Sequence, residues 1–579
     1  MTFEAPVKEL LFNIANIAPW SGEPAYDLEI AGAVLEEFGR FCVDEIAPLN
    51  APGDRAGSRC EGWQVHTPSG FPQAYAKFTA MGWQSLVHPC EYGGQDLPRA
   101  VGAAAGEIIN AANMSFALCP LLTDGAIEAL RHFGSPQLQQ TYLPKLVSGI
   151  WTGTMNLTEP QAGSDLALLR TRAERQADGR YQITGTKIFI TYGEHDLSEN
   201  IIHLVLARTQ DAPKGIKGIS LFLVPKQLVE DGTPNAVRCQ SIEHKLGVRA
   251  SPTCVLAFEG ATGFLIGREN AGLEYMFTMM NAARFAVGVQ GVAIGERAYQ
   301  LALSYAKTRH QGRPVDGSAP EAVAIIHHPD VRRMLAQMRA MTEGCRALAT
   351  FAAGCQDRAE TAGTPEQRAE ALALVEFLVP LVKGFCTEKG VETASLGVQI
   401  HGGMGFIEDT GAAQHYRDAR ILPIYEGTTS IQANDFLGRK MLRDGGAVAR
   451  RIAAMIAVTE QQLQTGSSVA QEIGARLTDA RSAFEATVAH LIAVAPADAN
   501  AAHAGAVPFL MLAGNLVAGW QMARSVLVAE AALARGEEGV FMATKIATAQ
   551  FYAHHILPEV DLQRSRVSQG AASLLGVTF

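Results

Sequence analysis

The chain has 579 residues and a formal net charge of −10, with 48 Lys+Arg against 58 Asp+Glu. At about 150 residues per domain this length predicts three or four domains with large buried cores, and 48% hydrophobic with 18% charged residues excludes disorder or collagen-like repeats for the bulk of the chain. The acidic balance argues against nucleic-acid and anionic-membrane partners, which require a surplus of Lys and Arg, but allows a small anionic ligand.

In chain order, the start (Met1-Thr2-Phe3-Glu4) carries an acid where a secretion signal would carry positive charge, and no apolar core follows, which predicts a cytoplasmic protein. Apolar residues then recur at three and four from Asp27 to about Gly149, the period of helices with one buried stripe. Between about Ile150 and Gly267 the texture changes to β-branched and aromatic runs, clearest at Tyr181-Gln182-Ile183-Thr184, 201–207, 218–224 and 254–258, with turns at Asp178-Gly179 and Pro213-Lys214-Gly215. Helical texture returns over 273–309, 329–357, 366–398 and 429–441, Pro365 being suited to a first helical position. Beyond about Asp444, alanine-rich segments at 448–463, 470–494, 508–534 and 544–555 predict further helices. The most apolar window, Val507 to Trp520, is interrupted by Pro508, Gly514 and Asn515. It falls short of the ~20 residues a bilayer needs, so it reads as a buried helix and no transmembrane segment is expected. Nine cysteines stand singly, with no Cys-x-x-Cys pair, which suits reduced core thiols and predicts no metal site.

Three segments have compositions that packing alone does not require. Met155-Asn156-Leu157-Thr158-Glu159-Pro160-Gln161-Ala162-Gly163-Ser164-Asp165 crowds small and hydroxyl residues into one loop, either a plain Pro/Gly turn or a place where backbone and hydroxyls approach a ligand. Gln399-Ile400-His401-Gly402-Gly403-Met404-Gly405-Phe406 is either a helix stop or a phosphate cradle. In Ile424-Tyr425-Glu426-Gly427-Thr428-Thr429, Glu426 stands between an apolar turn and a helix start. There it is either an ordinary solvated carboxylate or one dehydrated by its neighbours into a stronger base.

Taken in order, Thr158-Glu159-Pro160 through Ser164-Asp165, then Gly185-Thr186-Lys187-Ile188-Phe189-Ile190-Thr191, Arg309-His310-Gln311-Gly312-Arg313, the Gln399–Phe406 segment and Tyr425-Glu426-Gly427-Thr428 resemble the acyl-CoA dehydrogenase family over about residues 30–442. The remaining C-terminal region resembles that of the longer bacterial members. The resemblance implies a mainly α fold with a β-barrel-like middle domain: an N-terminal extension (1–30), a helical domain (31–154), the β domain (155–270), a helical bundle (271–442) and an additional helical domain (443–579). It implies FAD as cofactor and Glu426 as the catalytic base. Met155, Leu157, Thr158, Phe189, Thr191, Arg309, Gln311, Gln399, Gly402, Gly403, Thr428 and Ser430 are implied as cofactor contacts, and Ser164, Asn281, Arg284 and Gly427 as acyl-CoA contacts. Taken by itself, Arg284 reads equally as a helix residue whose stem covers apolar surface.

Four positions depart from the family pattern: Phe189 replaces a Trp, the Arg309–Gly312 motif is one residue short, His327-His328 replaces His-Gln, and Asn281 stands where Asp is usual. The implied reaction is formation of an α,β-enoyl-CoA. Glu426 would take the α-proton, a β-hydride would pass to flavin N5, and electrons would leave to an electron-transfer flavoprotein from at least a homodimer that shares its FAD. The alternatives are an acyl-CoA oxidase that uses O₂ and a nucleic-acid-associated flavoprotein on the same scaffold. The −10 charge and the lack of a clustered Lys/Arg tract near the C-terminus count against the latter.

Overall fold

The structure, a computed structural model, describes residues 3–18 and 26–579. Met1 and Thr2, and residues 19–25 of the expected N-terminal extension, lie outside the described residues. The helices in chain order are α1 (Val7–Asn16), α2 (Leu28–Phe41), α3 (Asn50–Ala56), α4 (Phe71–Ala80), α5 (Arg99–Phe133), α6 (Pro136–Val147), α7 (Gly272–Thr308), α8 (Pro329–Thr361), α9 (Pro365–His401), α10 (Ala412–Ala419), α11 (Thr429–Asp435), α12 (Ala447–Leu463), α13 (Ser468–Val494), α14 (Ala499–Ala504), α15 (Ala506–Ala534), α16 (Gly539–His555) and α17 (Glu559–Leu575). The strands are β1 (Arg59–Glu61), β2 (Gln64–His66), β3 (Trp151–Asn156), β4 (Arg172–Arg175), β5 (Tyr181–Thr191), β6 (Asn200–Thr209), β7 (Ser220–Pro225), β8 (Val237–Ile242) and β9 (Thr253–Ile266). They pack as two units: residues 38–98 with 112–283, and the described residues of 1–37 with 99–111 and 284–579.

In the first unit the β-branched runs close on themselves. Strands β6, β4, β5, β9 and β7 are paired in that order and β7 pairs back to β6, giving a five-stranded barrel with β3 added at β6 and β8 at β9. β6 explains why Ile201 to Ala207 is apolar without alternation. Val205 and Ala207 join Ile183, Phe222, Val224 and Phe258 in one core, while Ile202, Leu204 and Leu206 join a second core with Ile127, Leu130, Leu143 and Leu146 of α5 and α6. A strand buried on both faces has no reason to alternate. β5 runs on to Thr191, well past the four residues legible in the sequence, because its register slips between Lys187 and Ile190 and then resumes against β9. The β1–β2 hairpin interrupts a region read as helical throughout. α5 is broken at Asn113 (φ −160°, ψ 97°), whose Oδ1 accepts the Phe116 amide at 3.2 Å and so restarts the helix as a cap would.

In the second unit the long helices form where Ala, Leu and Met recur with few breakers, and Pro365 does open α9, behind a Thr364/Gln367 capping box. α15 is the one helix among the described residues long and apolar enough to cross a bilayer, and 83% of its most apolar 18-residue window is buried inside the unit. The 429–441 segment divides into α11 and a π-helical turn over Phe436–Leu442. α17, which buries only Val560 and Val567, carries too weak an apolar stripe to be seen in the sequence. α7 and α9 meet almost backbone to backbone. A Cβ at Gly291 would stand 2.5 Å from the Cys386 carbonyl, and one at Gly390 2.6 Å from the Gly291 carbonyl.

Several of the charges buried in this unit are grouped. Arg346, 2% exposed, donates to Glu107 (Nη2–Oε1 2.5 Å, Nε–Oε1 3.0 Å) and to Glu296 (2.7 Å). Lys545 bridges Glu9 (2.5 Å) and Glu343 (2.9 Å). Burial pushes the Glu107 carboxyl up and Arg346 pulls it back. Arg346→Met, which strands two carboxylates, is expected to destabilise the protein by about 3–5 kcal/mol, read as a lower urea midpoint; an unchanged midpoint would show the network to be dispensable.

Candidate active site

The turn after α10 is built by backbone bonds from Ile424 and Tyr425 to the Ile421 carbonyl (2.9 and 3.1 Å). Glu426 (φ +54°) and Gly427 (φ +87°) then adopt consecutive left-handed conformations before Thr428 caps α11 by accepting the Ile431 amide at 3.3 Å. For Glu426 that conformation costs about 1–3 kcal/mol and persists only where the surroundings over-determine it. They do so here through side chains that local sequence does not reveal. Gln432 Nε2 donates to the Glu426 carbonyl (3.2 Å), Lys383 Nζ from α9 donates to the Gly427 carbonyl (2.5 Å), Thr429 Oγ1 donates to Glu388 (2.6 Å), and the Tyr425 hydroxyl donates to Gln290.

Among the described residues no donor lies within hydrogen-bonding distance of the Glu426 carboxylate. Removal from water, the largest influence, pushes its pKa up to about 7, against Arg284 and Lys383, which pull it down. Arg284 is buried on α7 with Asp435 at 3.9 Å, and burial lowers its pKa. Lys383 is fully buried, and burial brings its ammonium down to about 7 while Glu426 opposes that shift. The result is a half-buried, unbonded carboxylate between two cations, able to accept a proton near neutral pH. Of the sequence-predicted residues, Glu426, Gly427, Thr428, Ser430 and Arg284 share this region. Thr428 spends its hydroxyl on the helix cap, and Ser430 is exposed.

A second cluster lies at the end of β3. Glu159 and Ala162 exchange backbone bonds (3.0 and 2.9 Å), and the Glu159 carboxylate, 4% exposed, accepts from Gln161 Nε2 (2.6 Å), the Arg170 amide (2.8 Å), Thr171 N (3.0 Å) and Oγ1 (2.6 Å), and Lys187 Nζ (2.9 Å). Lys187 also donates to the Leu157 carbonyl (3.0 Å), and the Ile188 amide to that of Thr158 (2.9 Å). Burial acts to raise the Glu159 pKa, but Lys187 and the other donors prevail and bring it down to about 2. Burial lowers Lys187 to about 8, still charged at neutral pH. With these bonds the ion pair ties Leu157 and Thr158 to the end of β5 that carries Phe189 and Thr191. The bulge in β5 puts Phe189 at φ +60° with 58% of its surface exposed. A strained, exposed aromatic face next to the Thr158 and Thr191 hydroxyls, neither of which has a partner among the described residues, fits a flat ring with a polar edge. Ser164 lies exposed on the same loop. Asn281, on α7, is exposed.

A third group lies at the far end of α7. Arg309 Nη2 donates to Gln311 Oε1 (3.4 Å), the Gln311 carbonyl pairs with His328 Nε2 (2.7 Å), and Tyr305 stacks on His401 with ring centroids 4.3 Å apart. That stacking brings the segment beside exposed Gln399, Gly402 and Gly403 at the end of α9. At ~1.5 Å per residue this is some 36 Å along α7 from Arg284, so these residues do not join the Glu426 cluster within one chain. Lys383, Gln432, Gln290 and the role of Lys187 went unseen in the sequence. Only Lys187 left a signal, a lysine on the inward face of a strand whose Tyr181 and Ile183 point to the core.

Family models match in the same order: "Acyl-CoA dehydrogenase, N-terminal domain" at 31–150, "middle domain" at 154–261, "C-terminal domain" at 270–442 and "Acetyl-CoA dehydrogenase C-terminal like" at 448–578. The chain is 60% identical over 585 residues to the 3-methylmercaptopropionyl-CoA dehydrogenase of Ruegeria pomeroyi, covering 99% of each chain. Among solved structures, it resembles Caenorhabditis elegans ACDH-11 in complex with C11-CoA (21% identity, 98% of this chain and 96% of that one, TM-score 0.77). It also resembles a Bacillus anthracis acyl-CoA dehydrogenase complexed with FAD (22% identity, 98% and 91%, TM-score 0.76). The chain belongs to the acyl-CoA dehydrogenase family, FAD-dependent oxidoreductases that act on CH–CH bonds.

Proposed function

We propose that this enzyme converts a short acyl-CoA thioester to its α,β-enoyl-CoA, with Glu426 as the base that removes the α-proton. The observation that carries this reading is the Glu426 carboxylate itself, partly removed from water, free of hydrogen bonds and set between Arg284 and Lys383 on an over-determined turn. Loss of the α-proton to Glu426 and of a β-hydrogen as hydride leaves the double bond; FAD, when bound, supplies the hydride acceptor. Met155, Leu157, Thr158, Phe189 and Thr191 are proposed to seat the flavin ring, and Gly427, Arg284, Asn281 and Ser164 to contact the acyl-CoA. Arg309, Gln311, Gln399, Gly402, Gly403, Thr428 and Ser430 are proposed to hold the rest of the cofactor.

The ~36 Å along α7 between Arg284 and Thr308, which precedes Arg309, supports a FAD shared between two copies of the chain, hence a homodimer or higher oligomer. Electron-transfer flavoprotein is proposed as acceptor and the cytoplasm as location. The name of the Ruegeria pomeroyi relative, at 60% identity over nearly the whole chain, supports 3-methylmercaptopropionyl-CoA as substrate. No observation favours the oxidase or nucleic-acid readings.

Anaerobic mixing with acyl-CoAs tests the assignment. Wild-type flavin is expected to bleach at a rate that rises with pH through about 7, as the base loses its proton. Glu426→Gln is expected to keep FAD but bleach about 10²–10⁴-fold more slowly, and undiminished bleaching would remove Glu426 from its role. Within the panel, 3-methylmercaptopropionyl-CoA should bleach fastest and palmitoyl-CoA slowest; the reverse order would overturn the substrate assignment. Lys187→Met strands the buried Glu159 carboxylate and should lower the FAD bound per purified chain, with wild-type FAD content as the contrary result.

A further inference from the structure

The mechanism uses Glu426 but leaves a buried lysine beside it without a task. Lys383 is 0% exposed, on the stretch of α9 seated against α7. A Cβ at Gly288 would meet Val382 at 2.4 Å, and one at Gly291 would meet Cys386, so the flanking residues cannot shift without moving α7. Burying an ammonium is costly unless it is paired, and among the described residues the only hydrogen bond from this one is to a neutral acceptor, the Gly427 carbonyl at 2.5 Å. A carbonyl needs no cation, and Gln432 Nε2 already reaches the same oxygen at 3.5 Å.

The charged groups that bear on Lys383 are Glu426 on the turn, Arg284 on α7 and Glu388 on its own helix. Arg284 is offset by Asp435 (3.9 Å), itself paired with Arg439 (2.7 Å). Glu388 accepts from Thr429. Glu426 and Glu388 are thus the anions that act on Lys383, and Glu426 has the larger influence of the two.

We propose that Lys383 is a positioning residue, whose ammonium clamps the Gly427 carbonyl to hold the left-handed Glu426–Gly427 turn and supplies the positive charge that the Glu426 carboxylate faces. This rests on Glu426 being the base. The clamp fixes where the carboxylate points, and below about pH 7, where Lys383 itself still holds its proton, the charge favours the ionised carboxylate against desolvation.

Three variants, purified with FAD, test this. Lys383→Met removes donor and charge, Lys383→Gln keeps a donor, and Lys383→Arg keeps both. In Lys383→Met the pH midpoint of anaerobic bleaching is expected to move up by about one unit, with a rate near neutral pH about tenfold lower. Lys383→Gln should show the raised midpoint with a higher rate at alkaline pH than Lys383→Met, and Lys383→Arg should return the midpoint toward wild type. If Lys383→Met does not fold, Lys383→Gln carries the test. A wild-type midpoint in a folded, FAD-replete Lys383→Gln overturns the proposal.

Infrared titration of the carboxyl band that disappears in Glu426→Gln gives the same midpoint without substrate. Should none of the acyl-CoAs bleach the wild-type flavin, the catalytic reading fails, yet the infrared midpoints of wild type and Lys383→Gln still decide whether the two residues are coupled.

Discussion

A base for α-proton removal must be dry enough to bind a proton tightly and charged enough to be ready to take one. At Glu426, proposed here as that base, burial is set against two cations, with a balance near neutral pH. Neither influence works without geometry, because a carboxylate free to swing into water would lose the first and one bonded to a donor would lose its basicity. The left-handed turn, the Lys383 and Gln432 bonds to its carbonyls and the Thr428 cap all serve to hold one side chain in one place.

A second ion pair plays a matching part in the β unit, with a different outcome. Glu159 is held by five donors and Lys187 by two acceptors, so their charges are consumed in shaping a loop. Opposite charges at close range thus serve two ends here: saturated with hydrogen bonds, a carboxylate becomes scaffold; left unbonded, it becomes reagent.

Much of this was legible beforehand because it depends on local pattern. Ala/Leu/Met-rich runs with few breakers located α7, α8, α9 and, beyond Asp444, α12, α13, α15 and α16; β-branched runs located β6, β7 and β9; and Tyr425-Glu426-Gly427-Thr428 marked the turn. What escaped depends on distant residues or on backbone irregularity. Lys383 lies forty-three positions before Glu426, inside an ordinary apolar helix, and nothing near it announces a partner. The bulge that exposes Phe189, the break at Asn113 and the π-helical turn after α11 are departures from the very periods by which elements are found. Glu159 lies in a loop whose composition was plain in the sequence, but its lysine could be matched to it only once β5 was folded against β3.

The close seating of α7 on α9 has an evolutionary consequence. Where two helices touch through main chain, with Gly291 and Gly390 face to face, no side chain can grow or shrink to slide one past the other. Arg284 and Lys383, one on each helix, are thereby locked in register with Glu426. If Glu426 is the base proposed above, drift in the residues that line an acyl chain can retune substrate preference without disturbing the acid–base poise of the reaction, so chemistry and specificity are free to diverge at different speeds.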